Sequence, residues 1–344
     1  MLERSPYFQL FLARVREWAR EPEVLFWVFG FPILLAVGLG IAFRNKAADE
    51  TLVGVVDGPG AAEVVAGLPG EKGFRVQVLA SEAAGQSLRL GKIALVVVPG
   101  TPRGYRFDPT RPESVLAREK VDDALQRAAG RVDPVAVADA LVTEPGARYI
   151  DFLIPGLLGM NIMSGSMWGI GFVLVEMRSR KLLKRLVATP MRKSQFLGAM
   201  MTSRMLLVFI EMGLLLAFGR FVFGMILQGS IANVALFCLL GGGVFSGLGL
   251  LVASRAKKVE VVSALMNLVM FPMFVLSGIF FSSERFPAVV QPFVKALPLT
   301  ALNDALRAVV LEGASLSSQL GRIGILAAWG VVSFFLALRL FRWT

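Results

Sequence analysis

The 344-residue chain contains no histidine and a single cysteine, Cys238. Without histidine there is no Ser-His-Asp or Cys-His nucleophile, no imidazole metal ligand and no imidazole pH switch. One cysteine excludes an intrachain disulfide and any cysteine-built zinc or iron–sulfur centre within one chain. Charge is scarce too: Asp, Glu, Lys and Arg make up 18% of the residues, against about 25% in ordinary soluble domains. The hydrophobic share is 55%, with 26 Phe, and the mean hydropathy is +0.66. Such a chain spends much of its length in lipid. Its net charge of +11 would point to nucleic acid in a soluble protein. In a membrane protein the charges must first be placed relative to the spans.

A span needs about 20 mostly apolar residues to cross roughly 30 Å of hydrocarbon. Six stretches qualify: 24–43, 152–175, 196–223, 230–253, 261–281 and 320–340. The first is too long for a typical signal-peptide core and follows a segment of mixed charge, so it is read as a retained helix. With the N-terminus inside, the inner segments 1–23, 177–195, 254–259 and 341–344 carry fifteen Lys and Arg. The short outer segments 224–229 and 282–319 carry three. This asymmetry predicts that both termini are cytoplasmic and that the long segment 44–151 lies outside. The excess positive charge then marks topology, and no nucleic-acid partner is expected.

Segment 44–151 changes character and reads as a small α/β unit. Leu52–Asp57 is an apolar run ending in Asp-Gly-Pro-Gly, a strand and a turn. Ala61–Leu68 reads as a short helix, Phe74–Leu79 as a second strand, and Ser81–Leu90 as a helix with Ser81 as N-cap. Ile93–Val98 is a buried-type strand, and Arg111–Gly130 an amphipathic helix. Gly58, Gly60, Gly67 and Gly70 fit neither phosphate-binding pattern and are read as turn glycines. Asp122 and Asp123, beside Lys120 and Arg127, form an ordinary solvated helix face.

Two inner segments stand out. In 5–21, Phe8, Phe11, Leu12, Val15 and Trp18 fall on one helical face, as expected of an amphipathic helix in the interface plane. The stretch from Glu176 to Lys193 predicts a helix over 177–190. Leu182, Leu183, Leu186 and Val187 form its apolar stripe, with Arg178, Arg180, Lys181, Lys184 and Arg185 around it. Thr189-Pro190 stops it and turns the chain into the third span. A short, basic, Pro-terminated helix of this kind is suited to dock in a groove of another protein.

Taken in order, these features resemble the permease subunit of an ABC-2 type exporter over essentially the whole chain. The resemblance rests on the N-terminal helix, Arg20-Glu-Pro22 before a span containing Phe31-Pro32, and the large segment after it. It continues in Leu186-Val-Ala-Thr-Pro190-Met-Arg192, Ser277-Gly-Ile-Phe-Phe-Ser282, Ala296-Leu-Pro-Leu-Thr300 and Asn303-Asp-Ala-Leu-Arg307. One departure stands at Arg178-Ser-Arg-Lys-Leu-Leu183, which is unusually basic where the family often has Glu-Arg-Glu-x-Gly-Thr. The resemblance implies an α-helical polytopic membrane protein of six transmembrane helices, with an inserted extracytoplasmic α/β domain, in a bacterial inner membrane. Its parts would be the cytoplasmic helix 1–23, the first span 24–43, the outer domain 44–151, and spans two to six in 152–344. Within the last lie a coupling helix at 177–190 and an outer helical segment at 282–319.

No Walker A motif occurs, so the resemblance implies a transport subunit without a nucleotide site or cofactor, not an enzyme. A separate ABC ATPase would supply energy, and a second permease subunit would complete the conduit, with lipid around it. Glu176, Arg178, Leu182, Leu183, Lys184, Leu186, Thr189 and Pro190 would make the ATPase contact.

Within the spans, Glu211 and Arg204 lie seven residues apart, on one helical face, where ionised groups are costly. The expected role is a structural pair, or a protonated carboxyl hydrogen-bonded within the bundle; substrate contact is the alternative. Asn267, Pro272 and Asn161 are expected to face the bundle, and Gly241, Gly242, Gly243, Gly247 and Gly249 to permit close helix packing. Between 282 and 318, Pro287, Pro292 and Pro298 predict short helices dipping into the headgroup region. A different functional class also fits: a membrane-anchored extracytoplasmic binding or sensor protein, for which the inner helix would be superfluous. A secondary transporter would need internal repeats and midplane ion ligands, which the sequence does not display.

Overall fold

The computed structural model describes residues 6–42, 51–68, 73–132, 134–135, 148–188 and 191–340. In chain order its first helices are α1 (Pro6–Arg20), α2 (Pro22–Ala42), α3 (Ala61–Ala66), α4 (Ser81–Arg89) and α5 (Pro112–Ala128). There follow α6 (Tyr149–Ser179), α7 (Leu182–Val187), α8 (Lys193–Phe223) and α9 (Ile231–Ala253). Last come α10 (Val259–Leu276), α11 (Gln291–Ala296), α12 (Pro298–Glu312) and α13 (Leu320–Leu340). The strands are β1 (Thr51–Val56), β2 (Phe74–Leu79), β3 (Leu95–Val98) and β4 (Gly104–Arg106). The chain divides into two compact units, residues 45–142 and the remainder.

The larger unit is helical. Six of its helices, α2, α6, α8, α9, α10 and α13, are long and apolar enough to cross a membrane. Helix α9 is the central post, packed against α6, α8, α12 and α13. Its glycines make this possible: a Cβ on Gly249 would stand 2.8 Å from the Met167 carbonyl oxygen of α6. In lipid, where no hydrophobic effect draws helices together, such close backbone approach supplies the van der Waals contact that does. Helices α2 and α6 each contain one wide π-helical turn, at Phe26–Gly30 and Trp168–Phe172. Helix α12 is no rim helix: it buries Leu299, Leu302, Leu306 and Val309 against α6 and α9. The apolar periodicity of 297–310 is the trace of that burial, which the prolines at 287, 292 and 298 obscured.

The smaller unit is a four-stranded sheet in the order β2-β1-β3-β4, parallel except for β4. Helices cover both faces. Val53, Val55, Leu95 and Val97 pack with α3 and α5. Ile93 and Val96 pack with Ala84 and Leu88 of α4. Burial on two sides is why β1 and β3 read as unbroken apolar runs. Ser81 is the first residue of α4, and Ala80, not Ser81, holds the N-cap position. The Ser81 hydroxyl instead accepts from Arg106 of β4 at 3.4 Å.

Candidate coupling site and polar groups of the bundle

Glu176 and Arg178 belong to the last turn of α6, which ends at Ser179. Lys181 then adopts φ 58°, the left-handed conformation, which among the described residues no other non-glycine shares. The chain turns there, so 177–190 is not one helix: it is the end of α6, a break, and α7. The break lets Leu183 swing inward, where it is 1% exposed among Ile170, Leu174, Phe196, Met200 and Leu250. Leu183 is thus a core residue of this chain and not an exposed docking anchor. Leu182 is half-buried, Lys184 and Arg185 are exposed, and Glu176 pairs with Arg180 at 2.8 Å. Leu186 lies in α7 with its side chain outside the described part, and Thr189 and Pro190 lie outside the described residues.

Arg178, expected at a docking rim, turns inward to the end of α9. Its guanidinium donates to the carbonyls of Ala253 and Ala256 at 3.0 and 2.6 Å, with Ser254 at 3.5 Å. Ala253 ends α9 and Ser254 and Ala256 lie in the turn beyond it, where carbonyls lack helical partners, and a planar fork reaches several at once. The unusually basic segment therefore contains a helix cap that spacing alone did not reveal.

Helix α1 packs along α8. The Tyr7 hydroxyl donates to Thr202 Oγ1 at 2.6 Å, and Arg14 donates to the Gly169 carbonyl in the π-turn of α6 at 3.3 Å. Between α1, α6, α7 and α8 opens a cleft of about 370 Å³. Leu10, Leu182 and Phe196 give it an apolar wall, and Arg14, Glu17, Glu21, Glu176 and Arg180 a charged one.

Deeper in the bundle, Arg204 and Glu211 meet through two nitrogen–oxygen contacts, and Arg204 Nε donates to Ser166 Oγ at 3.2 Å. Gly165 makes room: a Cβ there would collide with the guanidinium. The two side chains thus pair with each other inside the bundle. Asn161 donates to the Val28 carbonyl at 2.8 Å and so ties α6 to α2. Asn267 does not face the bundle. The inward side of α10 is Val262, Met266, Met270 and Met273, and Asn267 is exposed beside Leu268 and Phe271. Its neighbours in sequence had hidden which side of an almost wholly apolar helix is outward.

A second polar cluster stands where α10 ends. Gly278 has φ 69°, and among the described residues the carbonyls of 277–280 have no backbone partners. Side chains serve them instead. Asn303 donates to Ser277 at 2.9 Å, Tyr149 to Phe280 at 3.0 Å, and Arg307 to Gly278 and Ile279. Arg307 also donates to the Phe152 carbonyl at 3.2 Å, and its guanidinium lies 3.6 Å from the Phe152 ring centre. Burial pushes the Arg307 guanidinium down to about 10, and burial likewise raises the carboxyl of neighbouring Asp304. The two sequence motifs at 277–282 and 303–307 are therefore one contact. Among the described residues no cluster of His, Cys, Asp or Glu could hold a metal ion.

The family model described as ABC-2 family transporter protein matches residues 22–339. The chain is 26% identical over 195 residues to ABC transporter G family member 20 of Dictyostelium discoideum, 56% of this chain and 27% of that protein. It is 25% identical over 177 residues to the linearmycin resistance permease protein LnrN of Bacillus subtilis (strain 168), covering 52% and 46%. To the inner membrane transport permease YhhJ of Escherichia coli (strain K12) it is 26% identical over 175 residues, covering 51% and 47%. In each case the match spans less than half of the curated relative's length. With a family match across nearly the whole chain and six helices able to span a bilayer, the protein belongs to the ABC-2 transporter family as a multi-pass, permease-type membrane subunit.

Proposed function

We propose that the chain is the membrane subunit of an ATP-driven exporter, moving its substrate out of the cytoplasm while a separate ABC ATPase hydrolyses the nucleotide. The family implies that partner. The observation that carries the reading is the pinning of α7 and α1 to the bundle. Leu183 fixes α7 to α6, α8 and α9, and Arg14 fixes α1 to the π-turn of α6. A displacement applied to either short helix is thereby handed to the central helices, as a lever requires. The basic excess of the short loops at this end supports a cytoplasmic location for it.

The exposed face of α10 favours a second permease copy. Val261, Leu265, Leu268 and Phe271 are all exposed there, and Asn267 sits among them. An amide facing hydrocarbon lacks any hydrogen-bond partner, whereas the same amide on a second α10, or water in a conduit between two copies, would supply one. Lipid would then cover α2 and α13.

The test has two arms. On a Cys238→Ala background, Lys120→Cys should react with an impermeant thiol reagent in intact cells, and Lys184→Cys only after permeabilisation. Reaction of Lys184→Cys in intact cells would reverse the orientation. Purified with a co-expressed ABC ATPase of the same genome, the chain should retain it and alter its hydrolysis rate. Failure of every such ATPase to bind would defeat the exporter reading and favour the anchored binding protein.

A further inference from the structure

We propose that the cleft between α1, α6, α7 and α8 is a binding site for an amphipathic organic cation, a single ammonium group on an aromatic or aliphatic body. The site stands on the cleft itself, and only its effect on coupling rests on the reading of the chain as a transport subunit.

At about 370 Å³ the cleft has the size of a small-molecule site. Its two walls differ in kind. Leu182 and Phe196 lie on the apolar one, with Leu10, Met177 and Met200. All of these except Leu182 belong to the core in which Leu183 is sunk, or pack against it. The charged wall holds the carboxylates of Glu17, Glu21 and Glu176 and the guanidiniums of Arg14 and Arg180, so one negative charge is in surplus. Both guanidiniums are committed. Arg14 pairs with Glu17 at 2.7 Å and donates to the Gly169 carbonyl at 3.3 Å, and Arg180 pairs with Glu176 at 2.8 Å. Glu21 precedes α2 without capping it through its side chain, and it is exposed. A carboxylate or phosphate ligand would meet surplus negative charge with no guanidinium to spare. A purely apolar ligand would cover carboxylates without pairing them, which is costly. An inorganic cation would leave the apolar wall in water. An organic cation serves both walls, its body on Leu182 and Phe196 and its ammonium toward Glu21.

Two of the bounding helices, α1 and α7, are those that a lever mechanism sets in motion. A ligand that touches both binds best while they stand as they do here, and less well once they part. Occupancy therefore holds this conformation, to the extent that the affinities for the two conformations differ. By linkage, a nucleotide state that separates α1 from α7 must lower the ligand's affinity by the same factor. The cation would thus act as a brake on coupling.

The experiment uses the full chain in detergent, first alone and then with a co-expressed ABC ATPase. Three probes share a phenyl body: phenethylammonium, phenethyl alcohol and phenylacetate. By calorimetry the cation should bind saturably to the chain alone, at least tenfold more tightly than the other two, and more weakly as salt rises. Glu21→Gln should weaken it about threefold, as befits one exposed charge contact. Glu21→Lys should move the preference toward phenylacetate. Ala13→Phe, which fills the cleft from an exposed position of α1, should abolish saturable binding. Thermal unfolding without probe should be alike for wild type and the exposed variants. Equal affinity for cation and anion, binding untouched by Ala13→Phe, or no saturable binding of any probe would each overturn the site. Displacement of the cation by the ATPase without nucleotide would assign the cleft to a protein partner and overturn it too. In the complex the cation should slow ATP hydrolysis by wild type and not by Ala13→Phe. Unchanged hydrolysis despite proven binding would overturn the brake. If no ABC ATPase binds wild type, the exporter reading fails, and binding to the chain alone still decides the site.

Discussion

Arg204 and Glu211 stand two turns apart on α8 and close a bidentate ion pair, at 2.6 and 3.0 Å, with both side chains almost wholly buried. Neither charge could remain there alone. Removing one partner of a buried pair typically costs about 3–5 kcal/mol, whereas replacing both by apolar groups is often neutral. Glu211→Gln is therefore expected to lower the thermal stability of the permease in detergent markedly. The double variant Arg204→Met/Glu211→Leu should recover most of the loss. A double variant as unstable as the single one would mean that the pair does more than neutralise itself.

Burial of Leu183 separates folding from docking. Truncating a buried leucine to alanine removes apolar contact and leaves a cavity, at a cost of about 2–5 kcal/mol. Leu183→Ala should reduce the unfolding temperature of the isolated permease, with no ATPase present. Lys184→Ala, at an exposed position, should leave that temperature within error. Equal unfolding temperatures for wild type and Leu183→Ala would return Leu183 to the surface.

The end of α10 depends on the shape of Arg307 as much as on its charge. Its fork serves the Phe152 carbonyl from Nε and the Gly278 and Ile279 carbonyls from Nη2, whereas a lysine ammonium must donate from a single nitrogen. Each carbonyl left buried and unpaired costs about 1–3 kcal/mol. Arg307→Lys should therefore destabilise the helical unit by about 2 kcal/mol or more, read as a lower thermal midpoint. Asn303→Asp tests the neighbouring bond, since a carboxylate cannot donate to the Ser277 carbonyl. A fully stable Arg307→Lys would show that the charge alone suffices.

The α/β unit carries a pH-sensitive contact. The Tyr105 hydroxyl donates to Asp122 at 2.9 Å, and burial first, then that bond, pushes its pKa up to about 12. A phenol held protonated by the fold stabilises it fully below the free value near 10. That contribution is lost as the pH rises through about 12. In an alkaline titration followed by tyrosinate absorbance, wild type should show a late step that Tyr105→Phe lacks. Identical titrations would place Tyr105 in solvent.

The six helices long and apolar enough to cross a membrane, and the strands of the small sheet, were legible because both are written in local pattern. Twenty apolar residues can satisfy every backbone group in lipid only as a helix, and the runs 52–56 and 95–98 can be buried on two faces only as strands. The Arg204–Glu211 pair was legible as well, because seven residues are two helical turns. Other features depend on contacts distant in sequence. Whether Leu183 faces a partner or the core is decided by Leu250 and Phe196, and whether Arg178 is a rim charge or a helix cap by the carbonyls of Ala253 and Ala256. The outward position of Asn267 was equally hidden, since α10 is apolar nearly all round and carries little amphipathic pattern. Periodicity reports burial only where one side of an element is polar; in a membrane both sides are apolar, and the tertiary structure alone decides which one the protein keeps.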